Sequence, residues 1–240
     1  MRKLYLTSSP TGSYRTEEEP DYPGLNPENG LVDELKKDWK DDSSCVLIAA
    51  TPDAHEMNDE MADFFEEKLI ASGLSVKEMV LCDDRNGEEI VEKLEEFDMI
   101  ILGGGHVPTQ NAFFEKIKLR EKIQDFDGII MGISAGTMNC AETVYVQPEM
   151  PGESTDPEFQ RFIPGLGLTK MMVLPHYQAV KDDVLDGKKL FEEITYPDSV
   201  GRKFYVLVDG SYILQRDGKE KVCGEAYLIQ EGKFSRYIGC

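Results

Sequence analysis

Two apolar runs in this 240-residue chain end abruptly in small and polar residues, and together they have the makings of a hydrolytic site. The first, IILGGGHVPTQNAFF (100–114), stops in three glycines. The second, IIMGISAGTMNCAE (129–142), sets Ser134 midway between Gly132 and Gly136. A serine so spaced suits a nucleophile on a sharp strand-to-helix turn, where the flanking side chains must be small for the chain to reverse. Glycines of the first run carry unhindered N–H groups that can stand beside the serine as an oxyanion hole. The plain competing role for Ser134 is to cap the next helix. Cys140, six residues further on, reads as packing on that helix rather than as the nucleophile.

A serine nucleophile needs a base, and the base needs a third group to hold its tautomer. His176 closes VLPH just as Ser134 closes its own strand, and Asp209 closes FYVLVD ahead of a glycine. Three strand ends on one rim of a sheet would deliver serine, imidazole and carboxylate to one cleft. Asp-Gly is also a common turn pair, and Asp182 and Asp183 are alternative orienting carboxylates at a charged helix start. The order Ser–His–Asp differs from that of α/β-hydrolases and from those of chymotrypsin-like and subtilisin-like chains, so the elbow alone does not mean a lipase or esterase. The three histidines, His55, His106 and His176, form no HxxH or HExxH pair. No metal and no organic cofactor is therefore expected.

The elements that must position these residues read as alternating strands and helices. KLYLTSS, SCVLIAATP, SVKEMVLCD, DMIILGGG and DGIIMGIS are strands; NGLVDELKKDWK, DEMADFFEEKLIASG, NGEEIVEKLEEF and an interrupted TQNAFFEKIKLREKIQDF are helices. Continuous apolar strands alternating with helices imply an α/β fold, a mostly parallel central sheet covered on both faces, with ligands at the carboxyl ends of the strands. Between the first strand and first helix lies a polar loop over 11–30, read as a lid or a disordered tip. AETVYVQPEMPGESTDPEFQRFIPGLGL reads as strand or loop passing over the site, KMMVLPHYQ as a strand, and KKLFEEITYPDSVGRK as a helix. The C-terminal stretch from KFYVLVDG is an antiparallel hairpin series punctuated by DG, DGK and EGK turns. One domain over residues 1–240 is expected.

Composition narrows the partners. There are 46 acidic and 26 basic residues, a formal charge of -20. Such a surface repels phosphate backbones and anionic lipid, so neither nucleic acid nor membrane is an expected partner. The acids are spread along helices, as a solvated shell would be; a field selecting cationic substrates is the other reading. Five cysteines without metal or redox spacing, and no long apolar segment near residue 1, point to the cytoplasm.

LGGGHVPTQNAFF, GISAGTMNCAE, LPHYQ and YVLVDGSYILQRDG together resemble the dipeptidase E and cyanophycinase family of serine peptidases, peptidase family S51. The resemblance covers most of residues 1–235. It implies the class I glutamine amidotransferase-like fold, a three-layer α/β/α sandwich. It also implies Ser134 as nucleophile, His176 as base and Asp209 as orienting acid. The oxyanion hole maps to Gly104 or Gly105, with Gly105 the narrower choice, and to the backbone of Ala135. Gly104, His106, Gln110, Tyr177 and Gln178 are the candidate substrate-binding residues. Class I amidotransferases carry cysteine at the elbow and a His-x-Glu pair; Ser134 and His176-Tyr177-Gln178 stand there, which disfavours glutaminase activity. The implied substrate is a short peptide, an Asp-X dipeptide by analogy with dipeptidase E, and the implied assembly a monomer or homodimer. TVYVQPEMPGES departs from the dipeptidase pattern, and Arg85, Arg161 and Lys170 are the basic residues available to read an aspartate. The alternatives are a cyanophycinase-like peptidase, an amidase or esterase acting on a small metabolite, and a non-catalytic binding protein on the same fold.

Overall fold

The computed structural model describes residues 2–12 and 22–237, so most of the loop anticipated as a lid lies outside the described residues. Five strands build the core: β1 (Lys3–Thr7), β2 (Ser43–Ile48), β3 (Val76–Cys82), β4 (Met99–Leu102) and β5 (Ile129–Ile133). They run parallel in the order β1-β5-β4-β2-β3. Alternation along them divides the interior in two. Leu4, Leu6, Val46, Ile48, Ile100, Leu102 and Ile130 join one apolar cluster, while Tyr5, Cys45, Leu47, Met99, Ile101, Ile129 and Met131 join another. Successive side chains point to opposite faces of a sheet, so both faces are buried.

Helices cover these faces by their own spacing. α1 (Leu31–Asp38) and α2 (His55–Ala71) contribute Leu31, Leu35, Ala62, Phe65 and Leu69 to the second cluster. In α2 the buried positions fall at 58, 62, 65 and 69, one helical stripe, and left-handed Gly73 (φ 77°) follows its end. α3 (Gly87–Val91) is shorter than the sequence suggests and passes into a 3₁₀ turn. α4 (Val107–Lys116) and α5 (Leu119–Lys122) meet at Lys118, whose φ of 55° makes the anticipated interruption. Phe113, Phe114, Ile117, Leu119 and Ile123 from this region fill the first cluster. α6 (Ala135–Asn139) is the short helix after β5.

Beyond α6 the chain builds a second sheet. β6 (Thr143–Tyr145) and β7 (Phe162–Pro164) pair antiparallel, and β8 (Met172–Leu174) leads into α7 (Tyr177–Val180). β9 (Val184–Leu185) and β10 (Lys188–Lys189) form a small hairpin, followed by a π-helical turn at Leu190–Thr195 where one longer helix was expected. The C-terminal strands are β11 (Lys203–Leu207), β12 (Tyr212–Arg216), β13 (Lys219–Cys223), β14 (Ala226–Gln230) and β15 (Lys233–Arg236). They do not stay together as one hairpin series. β12 and β13 add antiparallel to β1, completing a seven-stranded mixed sheet, whereas β11, β14 and β15 join β8 in a four-stranded one. This small sheet packs on α6 through a third cluster that includes Ala135, Met138, Tyr145, Leu174, Phe191, Phe204 and Val206. Among the described residues no helix is long and apolar enough to cross a membrane.

The return of β12 to the large sheet is fastened by Arg216. Its guanidinium donates to Glu34 Oε2 at 2.7 Å, to Asp38 Oδ2 at 2.5 Å and to the Tyr5 hydroxyl at 3.1 Å, tying β12 to α1 and β1. Tyr5 donates its own proton to Asp38 at 2.6 Å, and burial with that carboxylate raises its pKa. Arg216→Ala leaves Asp38 and Tyr5 without their cation; the expected loss is about 1–3 kcal/mol of unfolding free energy, read by urea denaturation.

Candidate active site

The turn between β5 and α6 carries Ser134 at φ 50°, ψ −112°, a backbone conformation that non-glycine residues seldom adopt. Its neighbours explain how it is held. A Cβ on Gly132 would stand 2.8 Å from Thr137 N, and one on Gly136 would stand 2.2 Å from Leu102 O. Neither position has room for a side chain, which is the physical content of the two flanking glycines. From β1, Thr7 O accepts from Ser134 N at 3.2 Å and from Thr137 Oγ1 at 2.7 Å. Thr7 Oγ1 donates to Gly132 O at 2.7 Å.

His176 follows β8 and opens α7 with φ 60°, so it too sits on left-handed backbone. Its Nε2 lies 2.8 Å from Ser134 Oγ and its Nδ1 2.6 Å from Asp209 Oδ1. An ionised carboxylate only accepts, so Nδ1 carries the proton and Nε2 of the neutral ring is the acceptor for the serine hydroxyl. Asp209, just past β11, has no exposed side-chain surface. Its Oδ1 also accepts from Ser8 Oγ at 2.5 Å, and its Oδ2 from Gln178 Nε2 at 2.6 Å. Both donors are themselves anchored. Ser8 accepts from His176 N at 2.8 Å, and Gln178 Oε1 accepts from Asp209 N at 3.0 Å.

The three strand ends therefore meet, but not on one sheet. Ser134 comes from β5 of the seven-stranded sheet, while His176 and Asp209 follow β8 and β11, parallel neighbours in the four-stranded one. Ser8, which reaches Asp209 from the end of β1, is absent from the sequence-based candidates. Its only signal there is that TSS ends an apolar strand on the same carboxyl rim. Of the competing carboxylates, Asp182 is exposed beside Lys181 and Asp183 is half-buried past the end of α7, while His176 Nδ1 faces Asp209. Cys140 is buried in the core, where burial pushes its thiol pKa up.

The glycine run borders the serine. Gly103 N–H is committed to Ile48 O at 3.0 Å, which leaves the following amides as the ones free to face the site. A Cβ on Gly104 would lie 3.3 Å from Ser134 Cβ, whereas one on Gly105 would meet Ala50 Cβ at 2.7 Å. The run thus brings Gly104 beside the serine and sets Gly105 against the loop after β2. Ala135 N–H stands in the first turn of α6, where no intrahelical acceptor exists.

The other candidate substrate-binding residues have structural partners. Gln110 is fully buried beneath the run, donating to Gly103 O at 2.8 Å and accepting from Asn139 Nδ2 at 3.0 Å; Asn139 Oδ1 accepts from Asn111 Nδ2 at 2.9 Å. Gln178 is turned to Asp209. Tyr177 packs its ring against Phe191, Tyr227 and Phe234, with centroids 5.0–5.3 Å away. His106 alone of these faces the segment after the elbow: Nε2 meets Glu153 Oε1 at 3.0 Å, and Nδ1 meets Thr109 Oγ1 at 2.8 Å. Glu153 Oε2 in turn accepts from the amides of Glu149 and Met150, and Asp186 accepts from Gly152 N and Ser154 N.

One group among the described residues could approach a metal: His55, Asp83 and Asp84 bring ligand atoms within 4.8 Å of one another. Arg85 already bonds both oxygens of Asp83, at 2.7–3.0 Å, so that carboxylate's charge is matched by a guanidinium.

Solved structures with this architecture include a peptidase from an acI-B1 Actinobacterium, 17% identical, with a TM-score of 0.66 over 98% of this chain and 93% of that one. A protein from Listeria monocytogenes EGD-e, described as a candidate peptidase E, is 19% identical with a TM-score of 0.60 over 92% of this chain and 98% of that one. At such identities the likeness speaks for the fold alone. No curated protein matches the chain. The model of peptidase family S51 matches residues 28–223, a span that takes in Ser134, His176 and Asp209. By that match the chain belongs to peptidase family S51, and peptide-bond hydrolysis is the chemistry that membership carries.

Proposed function

We propose that the protein is a serine peptidase acting on short peptides through an acyl-enzyme, on a single three-layer amidotransferase-like domain. The observation that carries this reading is the imidazole of His176 bridging Ser134 Oγ at 2.8 Å and Asp209 Oδ1 at 2.6 Å. In the proposed reaction His176 Nε2 takes the Ser134 proton as Oγ attacks the peptide carbonyl, then returns it to the departing amine. Asp209 holds the ring and stabilises its charged form. The Gly104–Gly105 amides and Ala135 N–H receive the developing oxyanion, and water then repeats the sequence to release the acid.

The proposed substrate is a dipeptide with an N-terminal aspartate, whose carboxylate needs a donor once desolvated. Of the three basic candidates, Arg85 is occupied by Asp83 and Asp59, and Lys170 precedes β8, at the end away from His176. Arg161 remains. It stands in the segment after the elbow, lies 4.0 Å from Asp198 Oδ2 through Nε, donates to Ser154 O at 3.3 Å, and keeps a buried Nη1 with no acceptor among the described residues. Arg161 is the proposed reader of the aspartate side chain.

Three measurements test this function. Ser134→Ala should lower turnover by a factor on the order of 10⁶, and a fluorophosphonate probe should label Ser134 in the folded protein but not after denaturation. Full activity in S134A would refute the nucleophile, and a chain that neither labels nor turns over would be the binding protein of the alternative reading. Asp209→Asn should cost about 10⁴-fold in kcat, and Ser8→Ala about tenfold to a hundredfold by removing one charge-assisted hydrogen bond from Asp209. A dipeptide library should show Asp-Leu and Asp-Ala preferred over Leu-Leu and Lys-Ala, with Arg161→Ala raising KM for the aspartyl substrates selectively. Turnover confined to other amides would sink the aspartyl assignment while leaving the serine hydrolase intact.

A further inference from the structure

A second cavity, of about 360 Å³, lies between α4, α5 and the loop after β7. Its volume is within the range of small-molecule sites. Phe114 and Leu166, each 2 % exposed, form an apolar floor with Pro164 beside them, and Arg120, Glu115 and Glu121 stand around the opening. Among the described residues none of these three charged side chains makes an ion pair or hydrogen bond, although the next cation on α5, Lys122, is paired with Glu92 at 2.5 Å. The Arg120 guanidinium lies toward the loop wall: a Cβ on Gly167 would be 3.9 Å from its Nη2.

A lining with one cation, two carboxylates and an apolar floor discriminates by charge pattern. A simple anion is disfavoured by the two glutamates, and a simple cation satisfies them but leaves the arginine without a counter-charge. A ligand carrying both signs a few bonds apart, with a compact apolar side chain, satisfies all three features. We propose that this cavity binds a free α-amino acid of the leucine or phenylalanine type. Its carboxylate would lie on Arg120 in the planar, two-point manner that guanidinium favours, and its ammonium between Glu115 and Glu121. The ligand's source rests on the peptidase reading, because such an amino acid is what hydrolysis of a dipeptide releases. The site is also tied to the chemistry above. Asn111 on its wall begins the buried amide relay through Asn139 and Gln110 to Gly103 O, at the start of the glycine run.

The test is calorimetric titration of L-leucine into the full chain carrying Ser134→Ala, which separates binding from turnover. Saturable binding is expected, weakened about tenfold to a hundredfold by Arg120→Ala and partly restored by Arg120→Lys. On the unmodified lining, leucinol (no carboxylate) and 4-methylpentanoate (no ammonium) should each bind at least about tenfold more weakly than leucine. Arg120 is exposed, so its replacement leaves the core untouched, and the analogues probe the site without any substitution there. Absence of saturable binding at millimolar leucine overturns the proposal, as does equal affinity in R120A, which would place the amino acid in the Ser134 cleft. Loss of peptidase activity in the parent chain with leucine binding intact would sink the peptidase reading and leave this site standing.

Discussion

Asp209 is a carboxylate with no solvent contact, and the arrangement of the whole cleft follows from how that charge is accommodated. An unpaired carboxylate in a protein interior costs several kcal/mol, so its donors have to be in place before it can be buried. Ser8, His176 and Gln178 supply them from the end of β1, the end of β8 and the first turn of α7. These elements belong to two sheets. The charge is therefore satisfied only where the four-stranded sheet docks against the seven-stranded one, and the docking and the alignment of His176 are one event. The same contacts give the imidazole its orientation, since Ser8 holds both the His176 backbone and the carboxylate it faces.

The elbow stores strain that the surrounding packing sustains. A non-glycine residue in an unfavourable left-handed conformation costs about 1–3 kcal/mol. Ser134 keeps it because β1 bonds both sides of the turn through Thr7, and because α6 lies so close to β4 that Gly136 has no space for a side chain. The proposed nucleophile is thus fixed by the backbone of three strands rather than by its own side chain. His176, with φ 60°, is presented in the same way.

Around this core, polar residues on the rim divide their labour. Gln110 and Gln178 are drawn into the support of the glycine run and of Asp209, and Tyr177 into the aromatic packing behind α7. His106 and Glu153 join the run to the segment after the elbow, whose backbone is further held by Asp186. That segment is where the sequence departs from the dipeptidase pattern, and His106 fastens it to the residues that follow the glycine run.

Local spacing was enough to read much of this from the chain. Continuous apolar strands alternating with helical stripes announced the parallel core. Gly132 and Gly136 around Ser134 announced the sharp turn, because a missing Cβ is legible as a residue type wherever the backbone needs the room. The ends of VLPH and FYVLVD marked His176 and Asp209. What the chain could not disclose is which strand lies beside which. β12 pairs with β1 across about two hundred residues while β11, immediately before it, pairs with β8, and that choice is made by packing over the whole interior. From it follow the two-sheet origin of the cleft, the entry of Ser8 from the far end of the sequence, and the capture of Gln110 and Gln178 by buried partners. Residue type and periodicity determine backbone shape locally; the partner of a polar side chain is decided only when distant segments are brought together and each buried donor and acceptor must be satisfied.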